Sequence, residues 1–330
     1  MGERLRGLAI LGSTGSIGRQ TLEVVRSFPD RFAVVGLAAG KNSSLLERQV
    51  AEFSPKLVCC AASTPELENA CGQGARWASL EEIATHPEVD TVMVATVGRV
   101  GLAPTLAAIT DGKTVVLANK EVIVAAGELI MAEARRCNAS ILPVDSEPSA
   151  IWQCLRGEDS VVARLILTAS GGPFRERPIE ELAAVTPDEA LQHPTWSMGD
   201  KVTIDSSTLM NKGMEIIESH WLFGIPYENI DVVVHPQSIV HSLVEFKDGS
   251  IKAQIGPTDM RLPIQYALSY PERWHNHHTP RLASLTDVKF SFQELDLARY
   301  PCFGLAVEAG RKGGTYPAVL SAADEVAVNL

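Results

Sequence analysis

Leu8-Ala9-Ile10-Leu11 runs without a break into Gly12-Ser13-Thr14-Gly15-Ser16-Ile17-Gly18, and Arg19–Phe28 continues in a helical pattern. A strand that turns through glycines straight into a helix has few possible uses. The turn lets a ligand approach the backbone closely, and the helix N-terminus offers free N–H groups and the positive end of a dipole. The spacing is GxxGxxG, a less specific pattern than GxGxxG, because glycine turns also serve purely structural ends. The context narrows it. Up to residue 149, the apolar runs Ala33–Ala38, Leu57–Cys60, Thr91–Ala95, Thr114–Ala118 and Ser140–Val144 alternate with segments long enough for helices. That rhythm predicts a Rossmann-type, doubly wound parallel sheet over 1–149. A dinucleotide is then the expected ligand of the turn.

At the end of the second run stands Ala39-Gly40-Lys41-Asn42-Ser43. NAD-selective folds place an acid there for the ribose 2′-hydroxyl. A lysine, an asparagine and serines suit a 2′-phosphate instead, which favours NADPH. Asn42 or Ser43 could equally cap the following helix.

The chain has 330 residues, more than one core normally serves, so further domains are expected. After Pro148 the texture changes. A strand-like run, Val161–Thr168, meets Gly171-Gly172, and the stretch 171–199 is rich in loops and prolines. A helical segment, Leu209–Phe223, precedes the runs Ile230–Val234, Ile239–Phe246 and Ile251–Ile255, the last two joined by a Lys247-Asp248-Gly249-Ser250 hairpin turn. Residues 150–270 therefore read as an α+β domain with a mostly antiparallel sheet, 271–296 as a linker and 297–330 as the start of a helical region. A net charge of −11 disfavours nucleic acid and anionic membranes as partners. No apolar run is long enough for a membrane span or a signal peptide. The six cysteines have no metal-ligand spacing, and they read as reduced, mostly buried thiols of a cytoplasmic protein.

Four segments carry chemistry. The fifth run ends at Asn119-Lys120-Glu121; Lys120 could hold a phosphate or polarise a substrate oxygen, or be an exposed lysine capping a strand. Asp145-Ser146-Glu147-Pro148 places two carboxylates two apart. They suit a hard divalent ion, or else Asp145 or Ser146 caps a helix. Ser206, Asn211 and Lys212 supply hydroxyl, amide and ammonium donors in one short segment, as a phosphate grip does. Glu215 could complete an acidic metal site or merely pair with Lys212. His193-Pro194-Thr195-Trp196-Ser197-Met198-Gly199 lies in the proline-rich stretch, where Trp196 could belong to a lid or pin the loop to the body.

GSTGSIG, LANKE, PVDSEPSAIWQ, LTASGGPFRE, HPTWSMG, DSSTLMNKGMEIIE and HPQSIVHS occur in the order found in the 1-deoxy-D-xylulose 5-phosphate reductoisomerase family, which the chain resembles over nearly all its length. The resemblance implies an NADPH domain, a catalytic domain with a flap over 171–199, and a C-terminal helical domain. The last is incomplete here, because relatives continue for several dozen residues beyond this end. It also implies a homodimer, Mg²⁺ or Mn²⁺, and a small phosphorylated sugar as substrate. The place of work is the cytoplasm, or a plastid if a transit peptide was removed. By the same resemblance, Thr14, Gly15, Ser16 and Ile17 form the pyrophosphate turn, and Gly40, Lys41 and Asn42 the adenosine-phosphate end. Asn119, Glu121 and Gly199 are further cofactor contacts. Asp145, Glu147 and Glu215 are the metal ligands. Lys120, Ser146, Glu147, Glu215, Ser170, His193, Ser206, Asn211 and Lys212 bind substrate, with Trp196 and Met198 on the flap. Two other readings share the Rossmann front: an NADP-dependent reductase of the homoserine or aspartate-semialdehyde type, and an NADPH sensor. Neither needs the three acids.

Overall fold

The computed structural model describes residues 4–72, 74–196, 198–282, 286 and 288–329. Ser197 of the expected flap, 283–285 and 287 of the expected linker, and Leu330 lie outside the described residues. The chain forms two compact units. The first comprises Met1–Val122, Glu128–Asp145 and Met260–Thr279; the second comprises Ile123–Gly127, Ser146–Asp259 and Pro280–Leu330.

The first unit is built on seven parallel strands: β1 (Arg6–Leu11), β2 (Phe32–Ala39), β3 (Leu57–Cys60), β4 (Arg76–Trp77), β5 (Thr91–Val94), β6 (Thr114–Leu117) and β7 (Ile141–Pro143). Their order is β4-β3-β2-β1-β5-β6-β7, so the winding reverses between β1 and β5. In such sheets ligands bind outside the carboxyl ends of the strands at the reversal. All four residues of β5 and the last five of β1 are buried, as strands covered by helices on both faces require. The six apolar runs expected as strands all form. The seventh strand, β4, is two exposed residues at the sheet edge and carries no apolar signal.

The second unit holds a five-stranded sheet in the order β11-β10-β8-β9-β12. Its strands are β8 (Val162–Ala169), β9 (Ile230–Val234), β10 (Val240–Phe246), β11 (Ile251–Ile255) and β12 (Gln293–Glu294). Three of the four pairings are antiparallel and β8–β9 is parallel. Helices Ser146–Leu155 and Met210–Phe223 help cover the sheet, closing a core of Ile151, Leu165, Leu167, Ile216, Val244 and Phe303. The stretch read as loop contains a 3₁₀ turn, Ile179–Ala184, and a short helix, Pro187–Ala190, started by a Thr186/Glu189 capping box. At the C-terminal end stand helices Pro301–Lys312 and Tyr316–Val328.

Two sequence expectations differ from the structure. Residues 150–270 were read as one domain and 271–296 as a linker, yet Met260–Thr279 packs with the first unit. Trp274 packs tilted against Phe28 and Phe32, with ring centroids 5.0 and 5.7 Å away, and Arg6 donates to the Leu268 carbonyl at 2.6 Å. The cysteines were read as mostly buried, but only Cys71 and Cys154 are; Cys59, Cys60, Cys137 and Cys302 are partly exposed, and all six are free thiols. No helix among the described residues is long and apolar enough to cross a membrane.

Candidate active site

The glycine turn follows β1 at the reversal point. Gly12 has φ +96°, and a Cβ there would lie 2.2 Å from the Ala95 carbonyl oxygen at the end of β5. A Cβ on Gly18 would lie 2.2 Å from the Gly12 oxygen. The fold itself therefore requires these two glycines. Gly15 is different: it is exposed, its φ is −72°, and a Cβ there meets nothing nearer than 3.4 Å. Gly15 is the N-cap of helix Ser16–Ser27, which has no side-chain cap and no acid in its first turn. Thr14, Ser16 and Ile17 are half-buried around it. Behind the turn, Ser13 Oγ donates to Gln49 Oε1 at 2.7 Å and Gln49 Nε2 donates to the Ser13 carbonyl at 2.9 Å. Gln49 is buried 36 positions away and escaped the sequence reading, since a lone glutamine in a helix carries no signal.

At the end of β2, Gly40, Lys41 and Asn42 are exposed. Asn42 caps helix Ser43–Phe53, its side chain accepting from the Leu45 amide at 3.1 Å, so the capping alternative holds for its carbonyl oxygen. Asn119 is buried. Its side chain accepts from the Val122 amide at 3.3 Å and donates to Thr96 Oγ1 at 3.0 Å and the Gly98 carbonyl at 2.9 Å. These bonds fix the loop after β5, and Oδ1 keeps a second lone pair. Glu121 lies half-buried in the first turn of helix Lys120–Cys137.

Lys120 opens that helix, is 6% exposed, and is ion-paired to Asp145. The reading as an exposed capping lysine is thus set aside. Asp145 follows β7 and Glu147 is in the first turn of helix Ser146–Leu155, so the chain itself places them side by side. Glu215, on helix Met210–Phe223, is 0% exposed. Asp145, Glu147 and Glu215 each offer an oxygen within 4.8 Å of the others. Ser146 Oγ donates to Glu147 Oε2 at 2.5 Å. Lys212, 3% exposed, bridges Glu147 at 2.7 Å and Glu215, and Asn211 donates to Glu215. Burial works against the charge on Lys212, but the two carboxylates outweigh it and its pKa is raised. Glu215 thus lies beside Asp145 and Glu147 and at the same time pairs with Lys212.

Lys120 thus pairs with Asp145, and Lys212 with Glu147 and Glu215, in a largely buried cluster. The donor set is all oxygen, which matches Mg²⁺ or Mn²⁺ rather than zinc. Two oxygens on one Mg²⁺ stand at most about 4.2 Å apart, twice the ~2.1 Å bond. Oxygens within 4.8 Å of each other need only a side-chain adjustment to reach that spacing. The residues fit the ion.

Of the expected phosphate grip, Asn211 and Lys212 turn to the carboxylates, while Ser206 is buried on helix Asp200–Ser207. Ser170, after β8, accepts from the Gly172 amide at 3.1 Å and lies 2.9 Å from His193 Nε2. His193 Nδ1 accepts from the Thr195 and Trp196 amides at 3.2 and 2.9 Å, which puts the ring hydrogen on Nε2, donating to Ser170. Burial pushes the His193 pKa down to about 4, so the ring is neutral at physiological pH. With two donors already on its oxygen, Ser170 keeps its own hydroxyl hydrogen for a further acceptor.

The Trp196 ring rests on His241, with centroids 5.8 Å apart, and Thr195 Oγ1 lies 3.4 Å from Ser238 Oγ. The tip of 171–199 is thus pinned to the body in this conformation. Met198 is half-buried, and Gly199 is the exposed N-cap of helix Asp200–Ser207. His241 was not singled out from sequence. It is buried on β10, lies 3.2 Å through Nε2 from the Pro257 carbonyl, and has its pKa lowered, chiefly by burial. The signal was the second histidine of HPQSIVHS, a motif used only for resemblance.

Three family profiles match the chain: 1-deoxy-D-xylulose 5-phosphate reductoisomerase over residues 8–127, its C-terminal domain over 141–223, and a DXP reductoisomerase C-terminal domain over 255–330. The chain is 56% identical to the 1-deoxy-D-xylulose 5-phosphate reductoisomerase of Pelotomaculum thermopropionicum, over 99% of this chain and 86% of that one. Among solved structures it is similar to a DOX-P reductoisomerase in complex with NADPH, fosmidomycin and magnesium, with TM-score 0.92, 40% identity, and coverage of 98% of this chain and 84% of that one. It is likewise similar to the Zymomonas mobilis 1-deoxy-D-xylulose 5-phosphate reductoisomerase in complex with NADPH, with TM-score 0.90, 42% identity, and coverage of 99% and 86%.

Proposed function

This chain belongs to the 1-deoxy-D-xylulose 5-phosphate reductoisomerase family, and from that premise we propose which of its residues perform the family's reaction. It is an NADPH- and divalent-metal-dependent enzyme that isomerises and reduces 1-deoxy-D-xylulose 5-phosphate to 2-C-methyl-D-erythritol 4-phosphate in the non-mevalonate isoprenoid pathway.

The observation that carries the assignment is the convergence of Asp145, Glu147 and Glu215 within 4.8 Å, from segments about seventy positions apart in sequence. A divalent cation held by them supplies Lewis acidity for a ketone oxygen and its neighbouring hydroxyl. Lys120, buried and cationic, holds a substrate oxygen, and Ser146 sits beside the acids to contact the same end. Ser170, with its hydroxyl hydrogen unspent, and Ser206 hold the phosphate, and Asn211 and Lys212 join them when their bonds to Glu147 and Glu215 yield. That inert end then contributes binding energy that positions the reacting one. Neutral His193 orients Ser170 and the flap amides. Trp196 and Met198 exclude water from the reacting carbonyl. Thr14–Ile17 would hold the pyrophosphate of NADPH and Lys41 and Asn42 its 2′-phosphate, and the bound dinucleotide would supply the hydride.

The purified enzyme should oxidise NADPH only when the sugar phosphate and a divalent metal are both present. A metal chelator should stop turnover, and NADH should replace NADPH poorly. Turnover that survives chelation, or equal use of the two nucleotides, overturns this assignment of residues.

The enzyme works as a homodimer. Supporting this, β11 is an open sheet edge with Ile251 and Ile255 exposed, a surface that pairs readily with a second copy. Light scattering that reads a single 35.6 kDa chain would remove it. The bacterial sources of the relatives support a cytoplasmic place of work.

A further inference from the structure

The stretch 171–199 is held at both of its roots by the C-terminal helical segment. At the first root, Tyr300, 4% exposed, donates its hydroxyl to the Gly171 carbonyl at 2.8 Å. Its neighbour Arg299 donates to the Phe174 carbonyl at 3.0 Å and to the Arg177 carbonyl. These bonds lock the place where Gly171 and Gly172 turn the chain, with φ +83° and +67°. At the second root, Lys201 is the second residue of helix Asp200–Ser207, directly after the flap. Its ammonium lies 2.6 Å from Asp205 and 2.9 Å from Asp324, on helix Tyr316–Val328. Asp205 and Asp324 expose only 1% and 7% of their side chains. Residues more than a hundred positions downstream thus grip the two ends of one loop.

We propose that Arg299, Tyr300 and Asp324 are positioning residues for substrate binding: they fix the two roots of the 171–199 flap so that its tip closes over the phosphorylated substrate. The proposal rests on reading that stretch as a flap.

The chemistry separates positioning from bulk stability. Two buried carboxylates share one ammonium, so removing Asp324 leaves the neutral pair Lys201–Asp205 behind rather than an orphaned charge. Tyr300→Phe keeps the ring and its packing and removes one hydrogen bond. Neither change should unfold the protein, and both should loosen a root. A flap that closes less readily reduces the population competent to bind, which appears as a higher KM.

The test measures steady-state kinetics for Tyr300→Phe, Asp324→Ala and Asp324→Asn, with Trp196→Phe alongside. Tyr300→Phe and Asp324→Ala should each raise KM for the sugar phosphate about fivefold, the size of one hydrogen bond. The KM for NADPH and the melting temperature should stay put. Asp324→Asn, which keeps the shape but loses the charge paired with Lys201, should show most of the same loss. An unmoved sugar-phosphate KM in the tether variants, while Trp196→Phe raises it, overturns the tether and leaves the flap standing. If Trp196→Phe is silent as well, the flap reading falls and the tether with it. Equal losses in kcat and both KM values, together with a lower melting temperature, mean ordinary destabilisation and also overturn the proposal.

Discussion

Glu215→Gln should abolish turnover, lowering kcat about a thousandfold or more, as losing a Lewis-acid site does. The substitution is nearly isosteric, so packing around this fully buried side chain survives. Charge and donor pattern do not. Glu215 now accepts from both Lys212 and Asn211, and a glutamine amide turned toward either one sets donor against donor. Lys212 keeps Glu147 at 2.7 Å, so its ammonium is not stranded and the fold should tolerate the change. What remains for a cation is two carboxylates, each already paired with an ammonium group. Mn²⁺ affinity, read by electron spin resonance, should drop at least tenfold, and Asp145→Asn should behave alike. NADPH affinity should not move, because the glycine turn of the first unit contains none of these residues. An Mn²⁺ affinity within threefold of the parent enzyme would falsify the three-acid site.

Much of the first unit was legible because strands buried on both faces must be apolar throughout, and Leu8–Leu11 or Thr91–Ala95 can hardly be anything else. The edge strand β4 and the late strand β12 were not, since exposed two-residue pairings need no pattern at all. The transfer of Met260–Thr279 to the first unit was hidden for another reason. It depends on Trp274 finding Phe28 and Phe32, and nothing local in WHNHHTPRL distinguishes a packed tryptophan from a linker. The acids of the site could be named in advance, but only one by one. Asp145 was equally good as a helix cap, and Glu215 as a partner for Lys212, until folding brought them beside Glu147. Chemical type is written in the sequence; which of several satisfiable partners a group takes is decided by tertiary packing. Asn119 makes the same point from the other side. It stands where a cofactor contact is expected, and its side chain also bonds Val122, Thr96 and Gly98.

Gly15→Asp should separate the fold of the glycine turn from its function. At Gly12 and Gly18 a Cβ collides with backbone 2.2 Å away, so Gly12→Ala should lower the melting temperature and impair binding together. Position 15 has room, and its φ of −72° suits any residue. It is the N-cap of helix Ser16–Ser27, which lacks a side-chain cap, and aspartate is among the best residues for that place. Gly15→Asp should therefore leave the melting temperature unchanged or raised, by up to about 1 kcal/mol of stability. The same carboxylate would accept from the first-turn amides that the pyrophosphate needs, and would set its charge against the phosphates. Each charge-assisted hydrogen bond to an amide contributes about 1.5–3 kcal/mol, so losing one or two predicts NADPH binding at least about tenfold weaker. Mn²⁺ binding at Asp145, Glu147 and Glu215 should be untouched. Calorimetric titration with NADPH and a thermal melt on the same sample decide the matter: a dissociation constant within threefold of the parent would show that the dinucleotide does not lie on this helix end.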